Sequence, residues 1–215
     1  LYNGKSKIRT RLYSWDKDAP LDRGFFRDRL AKAVALRHDV LKLNHGPAAA
    51  YRVAFSESDL LSGMIVDRFG DYLTVQFTSL ALAQRRDLFA DVLNELLQPK
   101  GIYLRTERGI GQLEGLELHD GVLSGEAPPP EIVIEENGLR FAVNLTEGQK
   151  TGYYLDQRDN RAAVAKLCGG RRVLDAFSYS GGFGVYAAHA GAAAVECVDA
   201  SEAALRLADR NAVLN

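Results

Sequence analysis

The chain has 215 residues, of which 47% are hydrophobic and 26% charged, with only 6 prolines and a formal net charge of −1. That composition excludes a disordered, collagen-like or low-complexity polymer and fits a globular protein of one large domain or two small ones. No apolar run approaches the roughly 18 residues that a membrane helix requires, and Leu1–Arg11 is too basic and polar for a signal peptide, so a cytoplasmic protein without a membrane partner is expected.

Cys168 and Cys197 are too few for a disulfide framework or a four-thiolate zinc site, and His38, His45, His119 and His189 share no metal-ligand spacing, so no metal is expected. The only methionine is Met64, and the expectation is a piece of a longer protein. The near-neutral total conceals an uneven distribution. Residues 1–50 carry 11 Lys+Arg against 5 Asp+Glu, residues 51–130 carry 7 against 12, and residues 131–215 carry 9 against 11. A local basic excess can attract a polyanion even on a neutral chain.

In chain order, Lys5-Ser-Lys-Ile-Arg-Thr-Arg-Leu-Tyr13 alternates cations with β-compatible residues and predicts a strand with one basic face. Lys5, Lys7, Arg9 and Arg11 are therefore candidate contacts to RNA phosphates; the alternative is a solvated edge strand kept from aggregating by its charges. Trp15, Phe25 and Phe26 read as core packing ahead of base stacking. Asp22 is placed to cap a long helix bearing Phe25, Phe26, Leu30, Val34, Leu36 and Leu41, with Asn44-His-Gly-Pro47 ending it.

Strands are expected at Tyr51–Phe55, Met64–Asp67 and Tyr72–Phe77, with a tight turn at Phe69-Gly-Asp71, followed by an amphipathic helix over Leu80–Leu97 and a strand at Ile102–Thr106. Three consecutive prolines in Glu126-Ala-Pro-Pro-Pro-Glu131 cannot continue a helix or a central strand and mark a linker. Ile132–Glu135 and Arg140–Asn144 then flank an Asn137-Gly138 hairpin turn.

The chemistry concentrates downstream. Gln149, Lys150, Thr151, Asp156 and Arg158 crowd around Gly152, ahead of a helix from Gln157 to Cys168 for which Asp156 is the expected N-cap; a plain loop and capped helix is the alternative. Arg171–Phe177 reads as a buried strand with Asp175 near its end, Ser178-Tyr-Ser-Gly-Gly-Phe183 as a loop into a helix, and Ala193–Asp199 as a second strand ending in an acid. Strand, glycine loop, helix, strand and acid form a nucleotide-binding half-sheet: backbone can approach a ligand at the glycines, and a carboxylate can accept from ribose hydroxyls. Gly182-Phe-Gly-Val-Tyr-Ala187 also fits G-x-G-x-x-A, so an NAD-type oxidoreductase is a rival, although the dinucleotide fingerprint places its first glycine directly after the strand.

Val173-Leu-Asp-Ala-Phe-Ser-Tyr-Ser-Gly-Gly-Phe183 resembles the first motif of class I S-adenosylmethionine methyltransferases, and Val198-Asp-Ala-Ser201 their second acidic motif. Gly148-Gln-Lys-Thr-Gly-Tyr-Tyr-Leu-Asp-Gln-Arg158 resembles the signature of bacterial 23S rRNA cytosine-C5 methyltransferases with a PUA-like N-terminal domain. Ile8–Trp15, Phe25–Leu30 and Ser62–Asp71 are similar to the same family's PUA exit and central domain.

The resemblance implies an α/β fold: a partial Rossmann-like methyltransferase domain preceded by a small α+β central domain and the remnant of a PUA-like β domain. The corresponding divisions are 1–20 for the PUA end, 21–127 for the central domain, 128–148 for the linker and hairpin, and 149–215 for the start of the methyltransferase domain. It implies S-adenosyl-L-methionine as cofactor and 23S rRNA as partner, with a homodimer compatible. Asp175, Phe177, Ser178, Tyr179, Ser180, Gly181, Gly182 and Phe183 would surround the methionine part, Asp199 would hold the ribose, Ser201 would lie by the adenine, and Lys150, Thr151 and Arg158 would complete the pocket. Arg158 could pair with the methionine carboxylate, against a salt bridge to Asp156 or Asp159 at the helix start. Cytosine-C5 chemistry needs a thiolate nucleophile, and neither Cys168, at a helix end, nor Cys197, among valines, suits that role. The family's catalytic motifs are expected on strands later than Asn215. A non-catalytic RNA-binding or dimerisation module is the remaining rival.

Overall fold

A computed structural model describes residues 1–43 and 46–215; Asn44 and His45, half of the stretch expected to end the first helix, lie outside the described residues. The N-terminal part is built on a five-stranded sheet of β1 (Ala50–Phe55), β2 (Met64–Phe69), β3 (Tyr72–Phe77), β4 (Gly101–Arg105) and β5 (Gly121–Gly125), ordered β1-β2-β3-β4-β5. All neighbouring pairs are antiparallel except β3 and β4, which are parallel because a helical crossover joins them.

Helix α1 (Arg23–Ala35) starts where the sequence predicts, with the Asp22 carboxylate accepting from Phe25 N at 3.0 Å. It continues into a π-helical turn over Leu36–Val40, so its regular part is shorter than the apolar spacing suggested. The single helix expected over Leu80–Leu97 is two, α2 (Leu80–Ala83) and α3 (Arg86–Leu97). Arg85 breaks it, turning its amide to Leu82 O at 2.9 Å and its guanidinium to Ala81 O at 2.7 Å. Phe26 and Leu30 of α1 and Phe89, Val92 and Leu93 of α3 bury one face of the sheet against Val53, Val66 and Val75. Each such side chain contributes about 1.5–3 kcal/mol on burial.

The N-terminal basic segment is not a strand. Asn3 accepts from Lys5 N and Ser6 from Ile8 N, two side-chain turns that compete with extended pairing, and a lone bridge joins Tyr2 to Thr10. The segment is fastened to α4 (Arg108–Glu114) through the buried Glu114 carboxylate, which receives Asn3, Ser6 and Arg11. Trp15, expected in the core, is 94% exposed, while Phe26 is fully buried.

The opposite face of the five-stranded sheet meets the rest of the chain. Ala50 and Phe69 share a second core with the hairpin β6 (Ile132–Glu136) and β7 (Leu139–Val143), with Tyr153 and Leu155, and with Val185 and Tyr186 of α6 (Gly182–His189). The hairpin turn is as expected, Asn137 and Gly138 both adopting positive φ, 52° and 80°.

Downstream of the hairpin, α5 (Arg158–Ala165) precedes β8 (Arg172–Ala176), α6, β9 (Ala194–Val198) and α7 (Glu202–Leu214), with β8 and β9 parallel. The helix expected over Gln157–Cys168 thus ends at Ala165, and Asp156 does not cap it: a 3-10 turn over Leu155–Gln157 intervenes and the Asp156 carboxylate turns to Lys150 at 3.1 Å. Nor is β8 buried on both faces, since Leu174 is 65% exposed on the side opposite α6 and α7. No helix among the described residues is long and apolar enough to cross a membrane.

Candidate functional site

A cleft of about 560 Å³ opens beyond the C-terminal ends of β8 and β9, where the chain leaves each strand of a parallel sheet and backbone groups are free to meet a ligand. One wall is the loop after β8. Phe177 and Tyr179 hold positive φ, 60° and 47°, in a bend that no strand or helix would impose. Gly181 follows at φ 70°, with a would-be Cβ only 2.8 Å from that of Ala208, so neither its conformation nor its space admits a side chain. Gly184 is constrained in space alone: a Cβ there would stand 2.6 Å from Cys197 Sγ, and its absence lets α6 settle against the strands. The buried Asn211 of α7 braces this loop, donating to Ser180 O at 2.9 Å and accepting from Ala142 N at 2.7 Å.

Two carboxylates face the cleft, their pKa values shifted in opposite directions. Asp175 accepts from Gly184 N at 2.9 Å in the first turn of α6, yet burial outweighs that bond and raises its pKa above the ordinary 3.8. Asp199 accepts from Ser201 N at 2.9 Å through one oxygen and from Tyr179 N at 2.8 Å through the other, and these backbone bonds lower its pKa. Each Asp199 oxygen keeps acceptor capacity for a ligand hydroxyl.

On acidification Asp175 should therefore take up its proton before Asp199, which carboxyl-carbon NMR titration can follow; the reverse order would contradict these environments. A raised aspartate pKa means that stability falls as pH rises from the unfolded value through the folded one, so ionised Asp175 costs stability at neutral pH. Asp175→Asn, which keeps an acceptor for Gly184 N, should leave the ligand-free protein equally or more stable in thermal melts while weakening ligand binding.

The facing wall comes from residues 149–161. Tyr154 packs edge-on against Tyr179 at 5.7 Å between ring centres, and the Lys150 ammonium lies 4.3 Å from the centre of the Tyr154 ring. Deeper in, the buried Arg161 forms two parallel bonds of 2.8 Å to the buried Glu136, beside Tyr186, whose hydroxyl is 3.0 Å from the same carboxylate. Among the described residues, neither the Tyr153 hydroxyl, buried at the floor, nor that of Ser178 has a hydrogen-bond partner. Burial, followed by the charge of Glu136, pushes the Tyr153 pKa well above 10.0, so it is a neutral donor awaiting an acceptor.

Of the residues singled out by sequence, Lys150, Asp175, Phe177, Ser178, Tyr179, Ser180, Gly182, Phe183 and Asp199 line this one cleft, and Gly181 caps α6 beside it. Three lie elsewhere. Thr151 is fully buried with its hydroxyl on Asp67 at 2.6 Å, and Ser201 caps α7, accepting from Ala204 N at 3.3 Å. Arg158 donates to Ala50 O at 2.6 Å and lies 3.5 Å from Glu136, in a separate cleft with Arg37 and Arg52; it pairs with neither Asp156 nor Asp159. Gln149, Tyr153, Tyr154, Gln157 and Arg161 also line the site. The tyrosines stood within the recognised stretch, and Arg161 lies three residues past Arg158, on a helix whose facing the sequence could not give. Of the basic N-terminal residues, Lys5, Lys7 and Arg9 are exposed, whereas Arg11 is half-buried at 3.1 Å from Glu114.

A parallel β-α-β unit with a glycine bend and an acid at the C-terminal end of each strand defines a Rossmann-like nucleotide-binding protein. Residues 120–215 match the family model described as S-adenosylmethionine-dependent methyltransferase. Ribosomal RNA large subunit methyltransferase I of Aeromonas salmonicida is 42% identical over 214 residues, covering 100% of this chain and 54% of that protein. Its counterpart in Tolumonas auensis is 43% identical over 211 residues, covering 98% and 53%. The chain thus spans about half the length of the curated relatives it matches. A Streptococcus mutans structure described as a SAM-dependent methyltransferase superposes with a TM-score of 0.80 at 26% identity over 93% of this chain and 50% of that one. A methyltransferase solved in complex with SAH gives 0.79 at 25% identity over 93% and 50%.

Proposed function

We propose that this chain carries the S-adenosylmethionine site of an enzyme that methylates 23S rRNA, with cytosine C5 as the atom modified. The observation that carries the cofactor assignment is the paired acids, one half-buried and one accepting from two backbone amides, across a cleft with two buried hydroxyls left unpartnered among the described residues. The residues suit the group. Asp199 would accept from the ribose hydroxyls; Asp175 and the Phe177–Phe183 loop would enclose the methionine end. Arg161 and Tyr153, rather than Arg158, are the groups on the cleft side of α5 and its approach that would receive the methionine carboxylate. Bound there, the cofactor supplies an electrophilic methyl group; the protein's part is to orient it and keep its charge compensated.

The RNA assignment is supported by the relatives' names together with exposed Lys5, Lys7 and Arg9. The C5 assignment rests on the resemblance in the 148–158 stretch. Neither cysteine supplies its nucleophile from within the cleft: Cys168 is buried against Val164 O at 3.3 Å, and Cys197 faces α6, its thiol pKa raised by burial and then by Asp175.

Calorimetric titration with S-adenosylhomocysteine and with NAD separates the readings: binding of the first and not the second is expected, and the opposite result would reject the methyltransferase site. Arg158→Ala should lower stability yet leave S-adenosylhomocysteine affinity within about twofold; a large loss would return Arg158 to the pocket. Tritium from labelled S-adenosylmethionine should appear in 5-methylcytidine after digestion of rRNA treated with the whole enzyme, and label in another nucleoside would remove the C5 assignment.

A further inference from the structure

The residues between β7 and α5 line the cleft on one side and are bonded to the five-stranded sheet on the other. We propose that Thr151, Asp67 and Arg105 are positioning residues for the cofactor site, acting through the backbone of this loop; the inference rests on the cofactor reading given above.

The loop is under strain at the positions that matter. Lys150, which lines the cleft, has φ 53°, and Gly152 has φ 128°, outside the range that side-chain-bearing residues ordinarily occupy. Such a conformation persists only where its surroundings impose it. Two ties do so, both reaching into the sheet. Arg105, at the end of β4, donates to Leu145 O at 2.5 Å and Gly148 O at 2.9 Å, and is itself oriented by Asp120 at 3.1 Å. Asp67 of β2, fully buried, accepts from the Thr151 hydroxyl at 2.6 Å. Arg52, opposite it in the β1–β2 register, fixes the same carboxylate through bonds of 2.8 and 2.9 Å.

Thr151 lies between Lys150 and the cleft-lining pair Tyr153 and Tyr154. Its side chain points away from the cleft into the sheet, so the segment is clamped from behind and its neighbours are presented forward. The cleft face answers with a single residue: Tyr179 receives Gln149 N at 3.1 Å and donates to Gly152 O at 3.3 Å. Residues that touch no part of the cleft therefore set the position of one of its walls.

The test compares Thr151→Ser, which keeps the hydroxyl, with Thr151→Val, which keeps the shape and removes it. Thr151→Val leaves a buried carboxylate short of a donor and should weaken S-adenosylhomocysteine binding roughly tenfold, with Thr151→Ser restoring it to within about twofold. Hydrogen exchange in the ligand-free protein should rise over 148–154 in the valine variant and remain at the wild-type level in the strands of the sheet. Exchange that is unchanged in that segment, or raised throughout the chain, overturns the inference whatever the ligand does. If wild type fails to bind while the exchange pattern appears as stated, the cofactor reading falls and the clamp stands as a device for holding that wall.

Discussion

Glu136→Ala should destabilise the protein by about 3–5 kcal/mol, the cost expected when one partner of a buried ion pair is removed and the other charge is left uncompensated. Glu136 is 1% exposed and Arg161 is 2% exposed, so water cannot replace what is lost. The carboxylate serves more than one partner: both its oxygens engage Arg161, Arg158 approaches to 3.5 Å, and the Tyr186 hydroxyl is 3.0 Å away. Removing it would thus disturb α5, α6 and the β6–β7 hairpin together. Glu136→Gln keeps the volume and part of the bonding but not the charge, and should fall between wild type and alanine in urea melts. Equal stability of all three proteins would show that the pair is not the organising contact its burial indicates. Because Arg161 lines the cleft, the same variants should also bind S-adenosylhomocysteine more weakly than their residual folded fraction accounts for.

The second large effect is on binding alone. Asp199→Ala should reduce S-adenosylhomocysteine affinity by about a hundredfold or more, since hydrogen bonds to a charged group contribute about 1.5–3 kcal/mol each and a ribose diol can make two. The carboxylate belongs to no buried ion pair, and its two internal bonds go to the amides of Tyr179 and Ser201. Its loss should therefore lower the melting temperature far less than Glu136→Ala does. As its pKa is depressed, its contribution to stability is present above the unfolded value of 3.8 and lost as pH falls through the folded one. Binding in the wild type should consequently survive mild acid so far as Asp199 is concerned, with Asp175 the first of the two acids to be neutralised. An Asp199→Ala protein with undiminished affinity would mean that the cleft holds something without a ribose.

What was legible in the sequence was local. Asp22 caps α1 because a short acceptor placed before an amphipathic run satisfies free amides whatever the rest of the chain does. Asn137-Gly138 turns a hairpin because those residues tolerate positive φ. The glycine bend with an acid at the end of each of two strands was readable for the same reason: backbone approach to a ligand needs missing side chains at fixed spacing.

The facing of side chains was a different matter. Asp156 had the chemistry of an N-cap but found Lys150 closer, and Arg158 and Thr151, inside the recognised stretch, turned out to serve the joint with the five-stranded sheet. The N-terminal cations alternated as a strand would, yet Asn3, Ser6 and Glu114, the last more than a hundred residues away, bent the segment into turns. Residue type and spacing determined which elements form and which chemistry is on offer. Only the tertiary structure decided which side of the 148–161 segment meets the cleft, because that choice depends on carboxylates and carbonyls contributed by strands distant in sequence, whose buried positions leave each donor a single place to go.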